Sequence, residues 1–345
     1  MKRIAVEEHF LTEGYKNRLI TRKGYPKLEI TRDASNQEVV KLWNTPEHFT
    51  VQDPVEWNRK LDTGEGRLKE MDAHGIDMQV LLLASTVEQL EREEGIELAR
   101  SVNDELAAII KRRPDRFTGL AALPMQEPEA AAKELDRAVN ELGLKGAKLH
   151  AQVNGEFIDE KKYWIVFETA EKLGVPVFVH PTRPAQQMIK PFLSYFMLDG
   201  PIWGFGVSAG LQAIRLIYSG VFDTYPGLKV ILGHLGEALP FWLWRMDNRW
   251  HRDKMDIHPS TKNLAKKPGE YFKENFWVAT SGMFSKSAFL CAYLEMGADR
   301  ILFAVDYPNE LNGEAVKFIE EVQICDRDKE KICHSNAEKL FSLKA

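Results

Sequence analysis

A carboxylate and an imidazole stand two residues apart at the end of the first strand-like segment. Residues 4–6 are apolar, and Glu7, Glu8 and His9 follow them directly. Successive side chains of a strand point to opposite faces, so Glu7 and His9 share one face and Glu8 points to the other. A carboxylate beside an imidazole at the carboxyl end of a buried strand is suited to holding a metal ion. The alternative interpretation is an ordinary first strand followed by a polar loop without a metal site. Taken alone, these residues favour that alternative.

Three later strand-like segments end in the same residue types. His180 ends the fifth segment, His234 ends the sixth with Glu237 shortly after it, and Asp306 ends the eighth. Carboxylates and imidazoles together suit a borderline divalent cation such as Zn²⁺ or Mn²⁺. A single histidine of this kind is more often a core or loop residue. Several strand ends that carry His, Asp or Glu predict one shared metal centre.

The segments that must position these residues alternate in type. The apolar, strand-like segments are residues 4–6, 77–84, 116–124, 146–150, 175–180, 228–234, 275–281 and 300–306. The helical segments are residues 65–74, 94–113, 128–142, 163–173, 207–219, 314–324 and 328–343. Apolar strands separated by amphipathic helices are typical of a parallel sheet covered on both faces. Eight of them predict an α/β fold, a distorted (β/α)8 TIM barrel whose strands all end at one face.

Residues 11–54 interrupt this alternation. The stretch is polar, carries turn signals and has no sustained period, so we predict an insertion in the loop after the first strand. Loops of this length are usually lids, binding loops or interface arms, and a solvated excursion without function is equally consistent with the pattern. We expect a single domain over residues 1–345. The first strand is followed by no glycine-rich phosphate motif, which argues against a dinucleotide-binding fold.

Composition narrows the class of protein. The chain has 345 residues, 28% charged and 44% hydrophobic, with a net charge of −5, an ordinary globular balance. It has no long basic run, no apolar stretch approaching a membrane span and no signal-peptide pattern, so we expect neither a nucleic-acid nor a membrane partner. Cys291, Cys325 and Cys333 are odd in number and lack a paired metal spacing. We therefore expect reduced thiols in a cytoplasmic protein.

Aromatic residues are concentrated in the second half of the chain. They include Trp203, Phe205, Trp242, Trp244 and Trp250. Core packing accounts for most residues of this kind. An aromatic-walled pocket is the sharper hypothesis.

The motifs taken together resemble the amidohydrolase superfamily, in the branch that contains metal-dependent decarboxylases of the γ-resorcylate and 5-carboxyvanillate types. The resemblance covers nearly the whole chain and rests on residues 7–10, 71–77, 179–181, 233–240, 300–308 and 336–341. Residues 204–207, the helix after them and residues 220–223 are similar to the 5-carboxyvanillate type. Hydrolases of the superfamily typically begin with His-x-His. A glutamate in the first position, as at Glu7, is typical of the decarboxylases.

This resemblance implies one divalent metal ion, Zn²⁺ or Mn²⁺, held by side chains from the strand ends. Glu7, His180 and Asp306 would be ligands. His9 would be a fourth ligand, although some relatives have a non-ligating residue at this position. The resemblance also implies a small aromatic acid as substrate and a homo-oligomeric assembly, a dimer or a tetramer.

The resemblance implies roles for three further residues. His234 would lie beside the metal and near the substrate, supported by Glu237. Arg245 would meet a substrate carboxylate or phenolate, which a guanidinium fork matches with two hydrogen bonds. Without the resemblance, Arg245 would be interpreted as a surface or ion-pair arginine.

Some positions depart from the decarboxylase pattern. Asn309 stands where these relatives commonly have an aromatic residue, which removes one ring from the expected pocket. Lys148 and His150, at the end of the fourth strand, are more similar to other branches of the superfamily. They indicate either a different substrate or a buried polar network.

The expected activity is a metal-dependent, non-oxidative decarboxylation of a hydroxybenzoate. Asp306 would protonate the ring carbon before CO₂ leaves, with His234 as the alternative proton carrier. A second hypothesis keeps the site and makes it a hydrolase or hydratase of a lactone, amide or unsaturated acid, with Asp306 as general base. A third, a non-catalytic metal-binding scaffold, ranks lower because these ligands leave coordination positions open.

Overall fold

Each of the eight predicted strand segments forms part of a parallel sheet at the centre of the molecule. The computed structural model describes residues 1–45, 48–195, 197–253 and 264–343. Its strands are β1 (Ile4–Phe10), β2 (Lys27–Arg32), β3 (Glu38–Thr45), β4 (His48–Gln52), β5 (Met78–Leu83), β6 (Phe117–Gly119), β7 (Ala121–Ala122), β8 (Ala147–His150), β9 (Gln152–Val153), β10 (Glu156–Phe157), β11 (Pro176–His180), β12 (Lys229–Leu232), β13 (Phe276–Ala279) and β14 (Ile301–Leu302).

The parallel strands lie in two sheets that share one segment. The first sheet has the order β1-β5-β6 and the second the order β14-β13-β12-β11-β8-β7. The short strands β6 and β7 are consecutive pieces of residues 117–122, and β6 pairs with β5 whereas β7 pairs with β8. At the other end, Asp306 N donates to Glu7 O at 3.0 Å and His9 N to Tyr307 O at 2.7 Å. The strands therefore run in the order of a (β/α)8 barrel and return to β1.

The alternation of side chains along these strands builds two layers of core. Val80 and Leu82 belong to a cluster with Phe178, Ile231 and other strand residues. Leu81 and Leu83 belong to the larger core that includes helical residues. Because both faces of each strand are buried, the strands appear in the sequence as continuous apolar runs.

Helices cover the outside of the barrel. Those of eight residues or more are Glu13–Thr21, Pro54–Leu61, Glu65–Ala73, Arg92–Arg112, Pro128–Asn140, Trp164–Leu173, Gly204–Ser219, Leu239–Asp253, Pro268–Asn275, Lys286–Met296 and Asn312–Glu321. The single helix predicted over residues 328–343 is instead three short pieces: Asp326–Glu330, a π-helical turn at Lys331–Ser335, and Asn336–Leu340. The π turn presents the carbonyl oxygen of Ile332, which accepts a hydrogen bond from Phe303 N at 2.9 Å. In the described part of the chain, no helix is both long and apolar enough to cross a membrane.

The insertion after the first strand has more structure than its sequence indicates. It contains the helix Glu13–Thr21 and an antiparallel sheet of β2, β3 and β4. Leu28 pairs with Leu42, and Ile30 pairs with Val40. Leu28 and Val40 are buried in the main core, so the insertion is packed against the barrel. Most other side chains of β2 are exposed or half-buried, which is why the apolar pattern of this sheet is weak.

Candidate active site

Four side chains from strand ends meet at one end of the barrel. Glu7 and His9 belong to β1, His180 ends β11, and Asp306 follows β14. Glu7, His9 and His180 each place one potential ligand atom in the cluster, and these three atoms lie within 4.8 Å of one another. His9 Nε2 lies 2.8 Å from Asp306 Oδ1, and His180 Nε2 lies 3.5 Å from Glu7 Oε1. We call these residues, which are the four metal ligands expected from the sequence, the carboxylate–imidazole cluster.

The cluster contains buried polar atoms that need a partner. Within the described residues, Glu7 Oε1 and His9 Nδ1 are buried without a hydrogen-bond partner. Leaving such an atom unpaired costs about 1–3 kcal/mol. His180 Nδ1 lies 2.8 Å from the carbonyl oxygen of Pro181, which assigns the hydrogen to Nδ1 and leaves Nε2 as a lone pair facing Glu7. The donor set therefore fits a divalent cation.

Burial favours the uncharged forms of His9, His180 and Glu7. It lowers the pKa of His9 and holds the pKa of His180 well below its usual value, so both imidazoles are neutral, the form that binds a metal. Burial raises the pKa of Glu7 to about 8. Its carboxylate is therefore ionised at neutral pH only beside a compensating positive charge, which a metal ion supplies.

Glu8 connects β1 to the segment that carries Asp306. Its Oε1 accepts a hydrogen bond from Val305 N at 2.9 Å, and its Oε2 accepts one from Tyr307 N at 3.2 Å. The two amides flank Asp306, and Glu8 is fully buried. The prediction that the Glu8 side chain points away from those of Glu7 and His9 is confirmed. Glu8 thus fixes the position of Asp306 relative to the strand that carries Glu7.

A buried arginine extends this connection. Arg67 Nε donates to Gln79 Oε1 at 2.8 Å, and Arg67 Nη2 donates to the carbonyl oxygen of His9 at 2.7 Å. The guanidinium lies over the ring of Tyr307, 4.8 Å from its centroid. Burial holds the pKa of Glu8 well above its usual value, and the charge of Arg67, which is 1% exposed, acts in the opposite direction.

Asp306 itself has a strained backbone. Its φ is +77°, a region that residues other than glycine seldom occupy. The flanking amides bound by Glu8 hold this conformation in place. Asn309 Nδ2 donates to Asp306 Oδ1 at 2.9 Å, so the residue that replaces the expected aromatic ring contacts the acid directly.

The turn after β12 is left-handed over several consecutive residues. The φ angles of His234, Leu235, Gly236, Glu237 and Ala238 are 51°, 55°, 82°, 53° and 63°. Left-handed backbone costs about 1–2 kcal/mol for each residue that has a Cβ atom, and such strain is concentrated at functional sites. The turn brings His234 Nδ1 to 2.7 Å from Glu237 Oε1 and leaves His234 Nε2 3.8 Å from Asp306 Oδ2.

His234 and Asp306 form a charged pair at the edge of the cluster. Burial disfavours the imidazolium, but the carboxylates of Glu237 and Asp306 outweigh it and hold the pKa of His234 well above its usual value. Burial likewise disfavours the carboxylate of Asp306, but its contacts with His234 and His9 hold the pKa of Asp306 well below its usual range. The mobile proton of this pair therefore rests on His234.

A cavity of about 530 Å³ opens onto this pair. His234, Glu237, Asp306 and Glu310 are its charged lining residues. Its walls are mainly apolar and include Trp203, Phe205, Trp242, Met246 and Met283. The predicted aromatic-walled pocket is confirmed for Trp203, Phe205 and Trp242. Trp244 is exposed, and Trp250 packs against Tyr218.

Arg245, the predicted substrate-binding residue, does not line this cavity. It is exposed on the helix Leu239–Asp253. Its neighbours Trp242 and Met246 do line it. The substrate contact predicted for Arg245 remains a prediction.

Lys148 and His150 form a buried network behind the cluster. Lys148 Nζ donates to Leu83 O at 2.8 Å and to Ser85 O at 3.1 Å, and it lies 2.8 Å from His150 Nε2. His150 Nδ1 is paired with Glu88. The ring of His150 meets that of His180 edge-on, with centroids 5.4 Å apart. Of the two interpretations left open, the structure shows the buried polar network, and it lies against a residue of the cluster.

Several residues of the site are not evident from the sequence. Ser281, at the end of the seventh predicted strand, donates to Glu7 Oε2 and accepts a hydrogen bond from His234 N at 3.3 Å. Its position at the end of a predicted strand is the sequence feature that could have identified Ser281 as a residue of the site. Glu88 and Glu310 follow strands at a distance, and their positions depend on loop paths that the sequence pattern does not determine.

The barrel, the buried cluster and the adjoining cavity define a metal-dependent enzyme of the (β/α)8 type. A family model described as amidohydrolase matches residues 40–343, and the chain belongs to this family. The γ-resorcylate decarboxylase of Polaromonas sp. (strain JS666) is 39% identical over 351 aligned residues, which cover 99% of this chain and 98% of that protein.

Solved structures give the same assignment. The crystal structure of 5-carboxyvanillate decarboxylase from Sphingomonas paucimobilis matches with a TM-score of 0.87 at 32% identity, and the match covers 100% of both chains. The dihydroxybenzoic acid decarboxylase from Polaromonas sp. JS666, with bound manganese and the inhibitor 2-nitroresorcinol, matches with a TM-score of 0.83 at 37% identity. That match covers 100% of this chain and 98% of the other.

Proposed function

We propose that this protein is a metal-dependent, non-oxidative decarboxylase of a hydroxybenzoate-type aromatic acid. The observation that carries the proposal is the buried carboxylate–imidazole cluster beside a cavity with aromatic walls. Relatives that are similar over the whole chain have this activity, and one solved relative contains manganese. Glu7 in the first ligand position favours carbon–carbon cleavage over hydrolysis.

The four residues of the cluster would hold one divalent ion, with Mn²⁺ favoured by the solved relative. Such an ion would neutralise the negative charge of the substrate carboxylate and phenolate and would orient the substrate. The chain contributes the orientation of the ligands. Glu8 and Arg67 set the distance between β1 and Asp306, and Pro181 fixes the tautomer of His180.

Decarboxylation leaves an electron pair on the ring carbon, and protonating that carbon first avoids a free carbanion. We assign the proton delivery to Asp306 and the proton store to His234. His234 Nε2 lies 3.8 Å from Asp306 Oδ2, so a small movement brings them to hydrogen-bonding distance. Asp306 gives its proton to the ring carbon, the bond to the carboxylate breaks, and its electron pair returns to the ring as CO₂ leaves. A proton from solvent then restores the His234–Asp306 pair.

The apolar walls offer contacts that would position the ring of the substrate. Trp203, Phe205 and Trp242 offer aromatic faces for offset or edge-to-face contact with a benzene ring. Gly282 borders the reacting groups, since a Cβ atom there would be in van der Waals contact with His234 Cδ2 at 3.4 Å and Asp306 Oδ2 at 3.7 Å.

Three expectations stay predictions. Arg245 is expected to contribute to binding of the substrate anion, which a KM increase in Arg245→Met with an unchanged kcat would support. A homo-oligomer, dimer or tetramer, is expected from the family resemblance. A cytoplasmic location is expected from the cysteine usage.

The proposal is tested by metal analysis followed by an anaerobic screen of hydroxybenzoates for CO₂ release. We expect CO₂ and the matching phenol in equal amounts from the Mn²⁺-loaded protein, and no release after chelation. Hydrolysis of lactones or amides without CO₂ release would contradict the proposal, as would CO₂ release that survives complete metal removal.

A further inference from the structure

We infer that Glu310 selects the substrate: it favours an aromatic acid whose ring carries a further hydrogen-bond donor, such as a second hydroxyl, and disfavours a ring with a second carboxylate. The inference rests on the proposed decarboxylase activity and adds a substrate class to it. It concerns the further substituent of the ring, beside the reacting carboxylate.

Glu310 lies close to the reacting groups. Its backbone N donates to the carbonyl oxygen of Asp306 at 3.1 Å, and its half-buried side chain lines the cavity. A Cβ atom placed on Gly282 would lie 3.6 Å from Glu310 Cγ, 3.4 Å from His234 Cδ2 and 3.7 Å from Asp306 Oδ2. The Glu310 side chain therefore borders the same patch of cavity floor as the His234–Asp306 pair.

The carboxylate of Glu310 is available to a ligand. The other carboxylates of the cavity are already bound: Glu237 to His234, and Asp306 to His234, His9 and Asn309. Among the described residues, the Glu310 carboxylate has neither a hydrogen bond nor an ion pair. A ring hydroxyl that reached it would give it a donor, and a charge-assisted hydrogen bond of this type is among the stronger ones.

The charge of the lining works against a second anion. Of the cavity-lining residues in the described part of the chain, only His234 is basic, and it is committed to Glu237 and Asp306. A second ring carboxylate would lie between aromatic walls and Glu310, and it would find no further cation among the described residues that line the cavity. An uncompensated buried charge is strongly unfavourable, and a repulsive group of this kind is a common source of substrate discrimination.

The test compares 2,6-dihydroxybenzoate with 3-hydroxyphthalate, which has a carboxylate in place of the second hydroxyl. For each acid, kcat/KM for CO₂ release is measured with the Mn²⁺-loaded wild-type protein and with Glu310→Gln, which keeps the shape and removes the charge. We expect the wild type to prefer the dihydroxybenzoate by at least about tenfold, and the ratio to fall about tenfold or more in Glu310→Gln. Glu314→Gln, which neutralises an exposed glutamate one turn away on the neighbouring helix, is the matched control and should keep the wild-type ratio.

A binding measurement separates this inference from the activity on which it rests. Nitroresorcinol and a hydroxynitrobenzoate have a nitro group in place of the reacting carboxylate, so they bind without turnover. Calorimetry should give tighter binding of nitroresorcinol to the wild type and a smaller difference in Glu310→Gln. If neither acid releases CO₂ but this difference is found, the activity fails and the selectivity stands. A wild type that prefers the second carboxylate in both assays, or a ratio unchanged in a folded Glu310→Gln protein, overturns the inference.

Discussion

The carboxylate–imidazole cluster and the cavity beside it are built in different ways. The cluster lies on strand ends, and its residues are fixed by backbone hydrogen bonds and by the buried side chains of Glu8 and Arg67. The cavity walls come from residues 201–214 and 238–246, where several aromatic side chains are partly exposed, Trp203 at 59% and Trp242 at 47%. The rigid part of the site performs the chemistry, and the more open part recognises the ring.

This difference predicts two kinds of mutational effect. Changes in the cluster or in its supports should act on kcat and on metal affinity. Changes in the walls should act on KM and on substrate choice, because ground-state and transition-state binding of the ring are affected alike.

The largest effect is expected for Asp306→Asn. It removes the acid that delivers the proton, and general acid catalysis contributes about 10²–10⁴-fold, so kcat should fall by about that factor while much of the metal is retained. Steady-state CO₂ release and metal content measure the two properties. Asp115→Asn, a change at an exposed aspartate, is the control. Full activity of Asp306→Asn would remove Asp306 from the mechanism.

His180→Ala should weaken Mn²⁺ binding more than about 100-fold, because residues that only support metal ligands already contribute about 10–100-fold. Equilibrium dialysis of the purified variant measures the affinity. His334→Ala, in which the removed imidazole pairs with Glu338 away from the cluster, should bind the metal normally. If His180→Ala binds Mn²⁺ as tightly as the wild type, the cluster is not the metal site.

Glu8→Gln tests whether the rigid support matters. The amide keeps the shape but cannot accept both flanking backbone hydrogen bonds. We expect Mn²⁺ affinity to fall about 10–100-fold and the Co²⁺ absorption spectrum to change as the ligands move. Glu13→Gln, on an exposed helix, is the control. An unchanged spectrum together with a lower melting temperature would limit Glu8 to a purely structural role.

Trp242→Ala should raise KM about tenfold with little change in kcat, since an aromatic contact contributes about 0.5–1.5 kcal/mol beyond its buried area. Trp244→Ala provides a matched control, because Trp244 is 71% exposed and does not line the cavity. Equal effects of the two substitutions would mean that the aromatic wall does not bind the ring.

The smallest effect concerns the network behind the cluster. Burial lowers the pKa of Lys148 from 10.5 to about 8, so between these pH values the unfolded chain binds more protons than the folded protein. The free energy of unfolding attributable to Lys148 should therefore rise with pH, by about 1 kcal/mol from pH 8 to pH 9. Urea unfolding of the wild type and of Lys148→Met at both pH values isolates this term as the change in their difference. A difference that does not vary with pH would place Lys148 in a wetter environment.

The sequence predicts the cluster better than the cavity, for a physical reason. Strands of a parallel barrel are continuous apolar runs, and their carboxyl ends converge whatever the loops do, so Glu7, His180 and Asp306 could be placed together from pattern alone. The helix Leu239–Asp253 was not predicted, although its sequence is amphipathic.

Other features depend on tertiary structure that no local pattern records. The antiparallel sheet of the insertion buries few side chains, so its alternation is weak. Glu310 and Glu88 reach their places through the path of loops. The left-handed turn at His234 is held by contacts with Ser281 and Glu237, which come from its surroundings as well as its own segment.

The central claim is that the cluster carries a metal-dependent decarboxylation. The most direct measurement is CO₂ release from a panel of hydroxybenzoates by the metal-depleted protein, before and after stoichiometric Mn²⁺ is added. We predict no release before addition, and release together with an equal amount of the phenol after it. Release by the depleted protein at the reconstituted rate, or an intact acid after reconstitution across the whole panel, would contradict the account.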